Sequence, residues 1–300
     1  MNNIININGK IYELKYDYKD NDKLRESLNN LTEKTYGFNF EKWYQDGYWG
    51  NLYIPYSLTF DNKVVANVSV NIIDFYVLGE KKKYIQLGTI MTDKDYRNQG
   101  LSKALIDIVL EEWENKCDMI YLFANDSVLE FYPKFGFVKT NEYQYTLKDF
   151  NRINGGNIKK LNIKNEEEEK FIFDIVSNSL CFSKIGMINN PSLIMFYLMD
   201  FMSDEIYYIK EHDAIVICKF EGDTILVYDV FTTKKSKLED ILNMTINEDI
   251  KTVILGFTPL DTSLYNKNLL VEDDTTLFIN NKNYSIFEDK KLMFPILSHA

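Results

Sequence analysis

Residues 85–113 read IQLGTIMTDKDYRNQGLSKALIDIVLEEW, and a change of rhythm within that run decides the fold. Tyr84 to Met91 is a short apolar run, as a strand would be. From Leu101 onward, Leu101, Ala104, Leu105, Ile108, Val109 and Trp113 recur at the spacing of one helix face, predicted to reach about Lys116. Between the two, DYRNQG holds Arg97 and Gly100, with Ser102 two residues on. A glycine turn that opens a helix leaves backbone N–H groups unpaired near the positive end of the helix dipole, which makes a seat for phosphate. Gly100 lets an anion approach with no Cβ in the way. Ser102 is small enough to preserve that approach and offers a hydroxyl donor, while Arg97 orients the turn or meets the charge. Read alone, the same residues also suit an ordinary structural connection. Neither a G-x-x-x-x-G-K-[ST] loop nor a G-x-G-x-x-G run occurs, so nothing supports an NTPase loop or a dinucleotide fingerprint.

Toward the N-terminus a strand is expected at about Lys10 to Tyr16, then an amphipathic helix carrying Leu24, Leu28 and Leu31. LYIPYSLTF (52–60) and KVVANVSVNIIDFYV (63–77) flank Asp61 and Asn62, a turn-forming pair, and predict an antiparallel hairpin. Toward the C-terminus MIYLFA (119–124) predicts a strand. NDSVLEFYPKFGF (125–137) predicts a short helix that Pro133 weakens or closes, and YQYTLKDF (143–150) a further strand. The expected fold class is α/β in the mixed α+β sense, a mostly antiparallel mixed sheet flanked by helices.

DFNRINGGNIKK (149–160) combines a Gly pair with polar residues and makes the best junction, near 150–157, between units 1–150 and 158–300. Asn165 followed by Glu166 to Glu169 reads as a helix cap with acids in the first turn rather than as an acidic tail. Farther on, AIVICKF, TILVYDVFT, KLEDILNM and TVILGFTP spell strand, strand, helix, strand. That order repeats the middle of the first unit with little residue identity.

Forty-five per cent hydrophobic and 26% charged residues in a chain of 300 suit a globular protein with two cores. The opening MNNIININGKIYELKYDYKD lacks the basic start, apolar middle and small-residue cleavage site of a secretory signal, so a cytoplasmic location is expected. No apolar run is long enough to cross a bilayer. Cys117, Cys181 and Cys218 form no Cys-x-x-Cys pair, and His212 and His299 stand far apart, so neither a disulfide framework nor a metal site is expected. Basic and acidic residues number 18 and 22 in 1–150, and 16 and 23 in 151–300. Two acidic halves argue against nucleic-acid binding and mildly favour a cationic small-molecule acceptor.

The quoted run and, one strand later, NDSVLEFYPKFGF resemble consecutive signature regions of the GCN5-related N-acetyltransferase (GNAT) family, over roughly Tyr53 to Tyr145. The resemblance implies a GNAT-like fold for 1–150 and a second, smaller, degenerate GNAT-like domain in 158–300. In that family an [RQ]-x-x-G-x-[GA] loop binds the pyrophosphate of acetyl-CoA. Arg97, Asn98, Gln99, Gly100, Leu101 and Ser102 fall on it, with Ser in place of the final Gly or Ala. The second signature, approximately N-x-x-A-x-x-[FL]-Y-x-[KR]-x-G-F, is met by Asn125, Phe131, Tyr132, Lys134, Gly136 and Phe137, with Val128 in place of Ala. By the resemblance, Tyr132 is the general acid that protonates the departing thiolate, a task suited to a phenol that is neutral at pH 7. Asn125 either touches the coenzyme or caps the short helix. Ile90, Met91 and Thr92 fall where the family strand offers main-chain groups to pantetheine and the thioester carbonyl, so N–H donors there serve whatever the side chain. Ile90 and Met91 also suit the core.

What the resemblance implies is an acyl-CoA-dependent N-acyltransferase moving acetyl from acetyl-CoA to a small-molecule or peptide amine. No nucleic-acid or membrane partner is expected, and a homodimer is compatible. The alternative is a protein that senses acyl-CoA without turnover. Asp74 and Glu130, the acids weighed as general base, read as surface groups. Trp43, Tyr44, Tyr48 and Trp49 fall where family members often build an acceptor wall, and ordinary packing suits them as well. FTTKKSKLED (231–240) has no glycine turn, which predicts a module that supports the first or shapes its acceptor pocket. Some two-domain members of the family place the chain terminus near the active site. In FPILSHA (294–300), His299 and the Ala300 carboxylate are nevertheless expected at the surface.

Overall fold

The computed structural model describes residues 4–148, 158–280 and 285–299. The first sheet takes β1 (Ile4–Ile7), β2 (Lys10–Tyr16), β3 (Tyr53–Phe60), β4 (Lys63–Val77), β5 (Glu80–Thr92), β6 (Met119–Ala124) and β7 (Val138–Lys139). The chain then gives β8 (Tyr143–Leu147) and β9 (Ile158–Lys160) to a second sheet and returns to the first with β10 (Ile185–Ile188). It lays β11 (Ile206–Ile209), β12 (Ala214–Glu221), β13 (Thr224–Thr232), β14 (Thr252–Leu255) and β15 (Asn266–Leu269) in the second sheet, and ends with β16 (Thr276–Asn280) in the first. The strand orders are β1-β2-β3-β4-β5-β6-β16-β7, with β10 beside β4, and β15-β8-β14-β13-β12-β11-β9. Among the described strands only β5–β6 and β13–β14 run parallel. The expected units 1–150 and 158–300 thus exchange strands: β8 joins the second sheet, while β10 and β16 join the first. The expected junction at 150–157 lies outside the described residues.

Local chemistry accounts for these elements. Asp61 and Asn62 take φ of 48° and 60°, and two left-handed residues make the tight turn whose twist matches that of a hairpin, here β3–β4. Along β6, Met119 and Tyr121 face one core, and Ile120, Leu122 and Ala124 face the other. α1 (Asp22–Tyr36) and α2 (Glu41–Gln45) cover the first face. α3 (Leu101–Trp113) covers the second with Leu101, Leu105, Ile106 and Val109, each side chain contributing roughly 1.5–3 kcal/mol by burial. Asn125 to Phe137 forms two 3-10 turns, Asp126–Val128 and Tyr132–Phe135, in place of the expected helix; Pro133 has no N–H to continue one.

α4 (Glu166–Ser177), α5 (Pro191–Asp200), α6 (Leu238–Thr245) and α7 (Ser285–Lys290) complete the helices. Asn165 caps α4 as expected, accepting from the N–H groups of Glu167 and Glu168. The Glu168 carboxylate reaches the Asn162 N–H instead of closing the box on Asn165. Trp43 and Trp49 are buried among Phe40, Tyr53 and Phe196 of α5, Trp43 Nε1 donates to the Ser192 carbonyl at 2.8 Å, and Tyr48 donates to Glu169 at 2.8 Å. This aromatic group joins the two sheets. No helix among the described residues is long and apolar enough to cross a membrane.

The crossover β5-α3-β6 has a counterpart in β13-α6-β14. Both parallel pairs part after a few residues, but in the second the gap is filled. Ile296 donates its N–H to the Gly256 carbonyl at 2.9 Å. A Cβ on Gly256 would stand 2.9 Å from Ile296 Cδ1 and 3.0 Å from the Tyr228 carbonyl oxygen, so the close approach requires glycine.

Candidate active site

β5 and β6 pair only through Tyr84–Gln86 and Met119–Tyr121. Beyond that point they splay, and a cleft of about 890 Å³ opens at their C-terminal ends, the usual place for a ligand where parallel strands diverge. A bulge widens the split. Ser69 pairs with Gly88 and Asn67 with Met91, which leaves Thr89 and Ile90 opposite Val68 alone, with Thr89 at φ 46°. Asn67 Nδ2 donates to the Thr89 carbonyl at 3.0 Å and Tyr36 to the Ile90 carbonyl at 2.9 Å, so side chains hold the bulge open. Ile90, Met91 and Thr92 all line the cleft, although Met91 is itself buried in the core.

The turn between β5 and α3 is built as a cradle. Asp93 caps a single 3-10 turn by accepting from the Asp95 N–H. Asn98 and Gly100 then take φ of 60° and 89° on either side of Gln99. Gly100 is the N-cap of α3 and supplies no side-chain cap, so the first N–H groups of the helix have no intrahelical partner. A Cβ at Gly100 would meet only Ile7 Cγ2, at 3.9 Å, so glycine is needed here for the left-handed backbone rather than for space. Arg97 is exposed, donates Nε to the Thr92 carbonyl at 3.2 Å and has no ion-pair partner among the described residues. Arg97, Asn98, Gly100, Leu101 and Ser102 line the cleft. Gln99 does not. Its side chain accepts from the Tyr12 hydroxyl at 3.1 Å and donates to the Asp95 carbonyl, while Asn8 donates to its backbone carbonyl, so Gln99 anchors the turn from behind.

Tyr132 and Asn125 reach the same cleft from the β6 side. The Tyr132 side chain is buried against Phe131, Phe137 and Phe278, and its hydroxyl has no hydrogen bond among the described residues. Burial, with a smaller contribution from Tyr36, pushes its pKa well above the usual 10, which keeps the proton on oxygen. Asn125 stands at the N-cap position of the first 3-10 turn without making the cap bond, and its Oδ1 accepts instead from the Ser127 hydroxyl. Asp74 is paired with Lys81 at 2.9 Å and Glu130 is exposed; neither lines the cleft, nor do Trp43, Tyr44, Tyr48 or Trp49.

Several lining residues carry no local sequence signal: Tyr36 at the end of α1 and Phe38 just after it, Phe123 from β6, and Asp274 and Thr275 from the segment before β16. Asp274 Oδ1 accepts from the Asp126 N–H at 2.7 Å, tying the late segment to the first 3-10 turn. His299 is a correction. Expected at the surface, its ring lies instead in the wall of the cleft, stacked on Phe123. Residue 300 lies outside the described residues. No group of three His, Cys, Asp or Glu side chains among the described residues is arranged to hold a metal ion.

Residues 13–137 match the model of the acetyltransferase (GNAT) family. No curated protein matches the chain. Among solved structures, similar folds include a conserved protein of unknown function from Enterococcus faecalis, with 16% identity over 89% of this chain and 71% of that one and a TM-score of 0.58. A GCN5-related N-acetyltransferase from Anabaena variabilis shows 14% identity over 91% and 74%, with a TM-score of 0.56. Another from Kribbella flavida shows 13% over 89% and 71%, with a TM-score of 0.53. At such identities the likeness is one of fold.

Proposed function

We propose that this chain, whose residues 13–137 form an acetyltransferase domain of the GNAT family, transfers an acetyl group from acetyl-CoA to a primary amine. The observation that carries the reading is one continuous cleft lined both by the β5–α3 turn, with its unpartnered helix N–H groups, and by Tyr132, whose hydroxyl keeps its proton. The turn and Arg97 suit the coenzyme's phosphates. Pantetheine would follow the splayed end of β5, where the Thr89–Ile90 bulge frees main-chain groups to meet the thioester oxygen.

In the reaction the amine lone pair attacks the thioester carbonyl carbon, and the C–N bond forms as the C–S bond breaks. Sulfur leaves with the Tyr132 proton, the surplus proton on nitrogen goes to water, and the phenolate is reprotonated from solvent. Holding amine and thioester in one cleft supplies the orientation that such a bimolecular step needs.

The test is calorimetric titration with acetyl-CoA of the wild type and Gly100→Trp, followed by an assay of coenzyme A release across primary amines. Saturable binding lost in a still-folded Gly100→Trp, with amine-dependent release in the wild type, is the expected result. Binding without release by any amine identifies a sensor, and absence of binding overturns the proposal.

A further inference from the structure

We propose that Asn67 is a positioning residue, whose side-chain amide turns the Ile90 N–H into the cleft to meet the thioester oxygen. This rests on the acyl-transfer reading above. A trans peptide holds its C=O and the following N–H antiparallel, so whatever fixes the Thr89 carbonyl also fixes the direction of the Ile90 N–H. Asn67 Nδ2 donates to that carbonyl at 3.0 Å. Asn67 lies on β4, and β5 stands between β4 and β6. With the Thr89 carbonyl drawn toward β4, the Ile90 N–H faces the other way, to the side on which β5 and β6 part.

The neighbouring bonds agree with that direction. Ile90 has no partner on β4, because the register passes from Ser69–Gly88 to Asn67–Met91. Along a strand the N–H and C=O of one residue point to the same edge. The Ile90 carbonyl is met at 2.9 Å by the hydroxyl of Tyr36, a residue that lines the cleft. Tyr36 thus engages the carbonyl and leaves the N–H as the main-chain group of Ile90 that an incoming oxygen can meet.

Several bonds enforce one strained backbone here. Thr89 holds a φ of 46°, a region that a β-branched residue rarely enters and keeps only where its surroundings impose it. Asn67 is fully buried. Its Oδ1 accepts from the Ser57 hydroxyl at 2.8 Å, and its Nδ2 donates to Ser69 Oγ at 2.8 Å as well as to Thr89. Ser69 donates in turn to the Tyr53 hydroxyl at 2.8 Å, which lies 3.0 Å from Thr89 Oγ1. The Thr89 carbonyl can only accept, so the amide nitrogen of Asn67 is the end that faces it. In so closed a site a lost donor leaves its partners unpaired, and such networks are stiff. Asn67 does not itself line the cleft, so it acts through Thr89 and Ile90, which do.

Isotope-edited infrared difference spectroscopy with acetyl-CoA carrying ¹³C at the thioester carbonyl reads the contact directly and needs no amine. Binding to the wild type should lower the carbonyl stretch relative to free acetyl-CoA. In Asn67→Ala and Asn67→Ser the stretch should return most of the way to the free value. Coenzyme A, which has no thioester carbonyl, should still bind within about threefold of wild type, while turnover in the coenzyme A release assay falls about tenfold or more. A folded variant with the wild-type stretch and turnover overturns the inference. So does a loss of coenzyme A affinity in step with turnover, which would mark a merely structural role. If neither variant folds, the wild-type Ile90 amide decides, its NMR signal assigned by its loss in Ile90→Val. An amide proton that shifts when acetyl-CoA replaces coenzyme A supports the inference, and one that stays overturns it. A wild type that binds acetyl-CoA with an unshifted stretch overturns this inference alone. A wild type that binds no acetyl-CoA overturns the proposed function, and this inference with it.

Discussion

The hydroxyl of Thr92, at the end of β5, lies 2.7 Å from the hydroxyl of Ser102, in the first turn of α3. The bond crosses the mouth of the turn and ties its two ends together. Ser102 stands where the family pattern has Gly or Ala, and its hydroxyl is already engaged by Thr92.

Ser102→Ala should therefore leave acetyl-CoA affinity within about threefold of wild type while lowering stability by about 0.5–1.5 kcal/mol, the worth of one hydrogen bond. Calorimetric titration and denaturant unfolding separate the two effects. A loss of affinity above tenfold would show that the hydroxyl contacts the coenzyme after all.

Tyr132→Phe removes a hydroxyl that makes no hydrogen bond among the described residues and leaves a ring packed on Phe131, Phe137 and Phe278. Stability should change by less than about 0.5 kcal/mol. If Tyr132 is the general acid, kcat should fall about 10²-fold or more with coenzyme affinity retained. Steady-state kinetics beside calorimetry checks both, and unchanged turnover would remove the acid role without touching the fold.

Glu142 is buried, and its Oε1 accepts from the Phe294 N–H at 2.7 Å, which fixes the start of the terminal arm. Burial raises its pKa from the ordinary 4.5 to about 8, with Glu272 adding to the rise and the Phe294 bond opposing it. Between these values the folded protein keeps a proton that the unfolded chain has lost. This contribution to stability is full below about 4.5, declines as pH rises, and is gone above about 8. Glu142→Gln keeps an acceptor for Phe294 and has no proton to lose. Its melting temperature should match wild type near pH 4.5 and exceed it by several degrees at pH 9, each kcal/mol being worth about 2–4 °C in a chain of this size. Equal pH dependence in the two proteins would show that Glu142 does not titrate in that window.

Gly256→Ala brings a Cβ against Ile296 and against the backbone of Tyr228. Backbone on one side leaves the side chain of Ile296 to give way, at a cost of about 1–3 kcal/mol. Because Ile296 belongs to the arm that sets His299 in the wall of the cleft, a displaced Ile296 should lower turnover along with stability. Unfolding, kinetics and calorimetry on one preparation would separate these effects.

The β5-turn-α3 run was legible because it is local: apolar residues, a left-handed glycine and helical spacing all lie within thirty positions of one another. The β3–β4 hairpin was legible for the same reason, through Asp61 and Asn62. Tyr132 and Asn125 needed the family pattern, since a tyrosine beside a proline says nothing of a cleft. Gln99 shows the limit of a motif, being inside the loop pattern yet turned toward Tyr12. What the sequence hid is non-local. Nothing in TLFIN says that Thr276–Asn280 pairs with Met119–Ala124 rather than with its nearer neighbours. His299 could not be placed without its stacking partner Phe123 on β6, and a polar C-terminal residue is ordinarily at the surface.

β16 also sets a timetable. A ribosome releases the chain from its N-terminus, so the turn, Tyr132 and most of the first sheet exist as polypeptide long before the strand that covers the outer edge of β6 has been made. Until then the nascent protein carries an unpaired strand edge, the kind of surface on which other chains add. A transcript cut between Ala124 and Thr276 would yield a sticky remnant rather than a smaller enzyme.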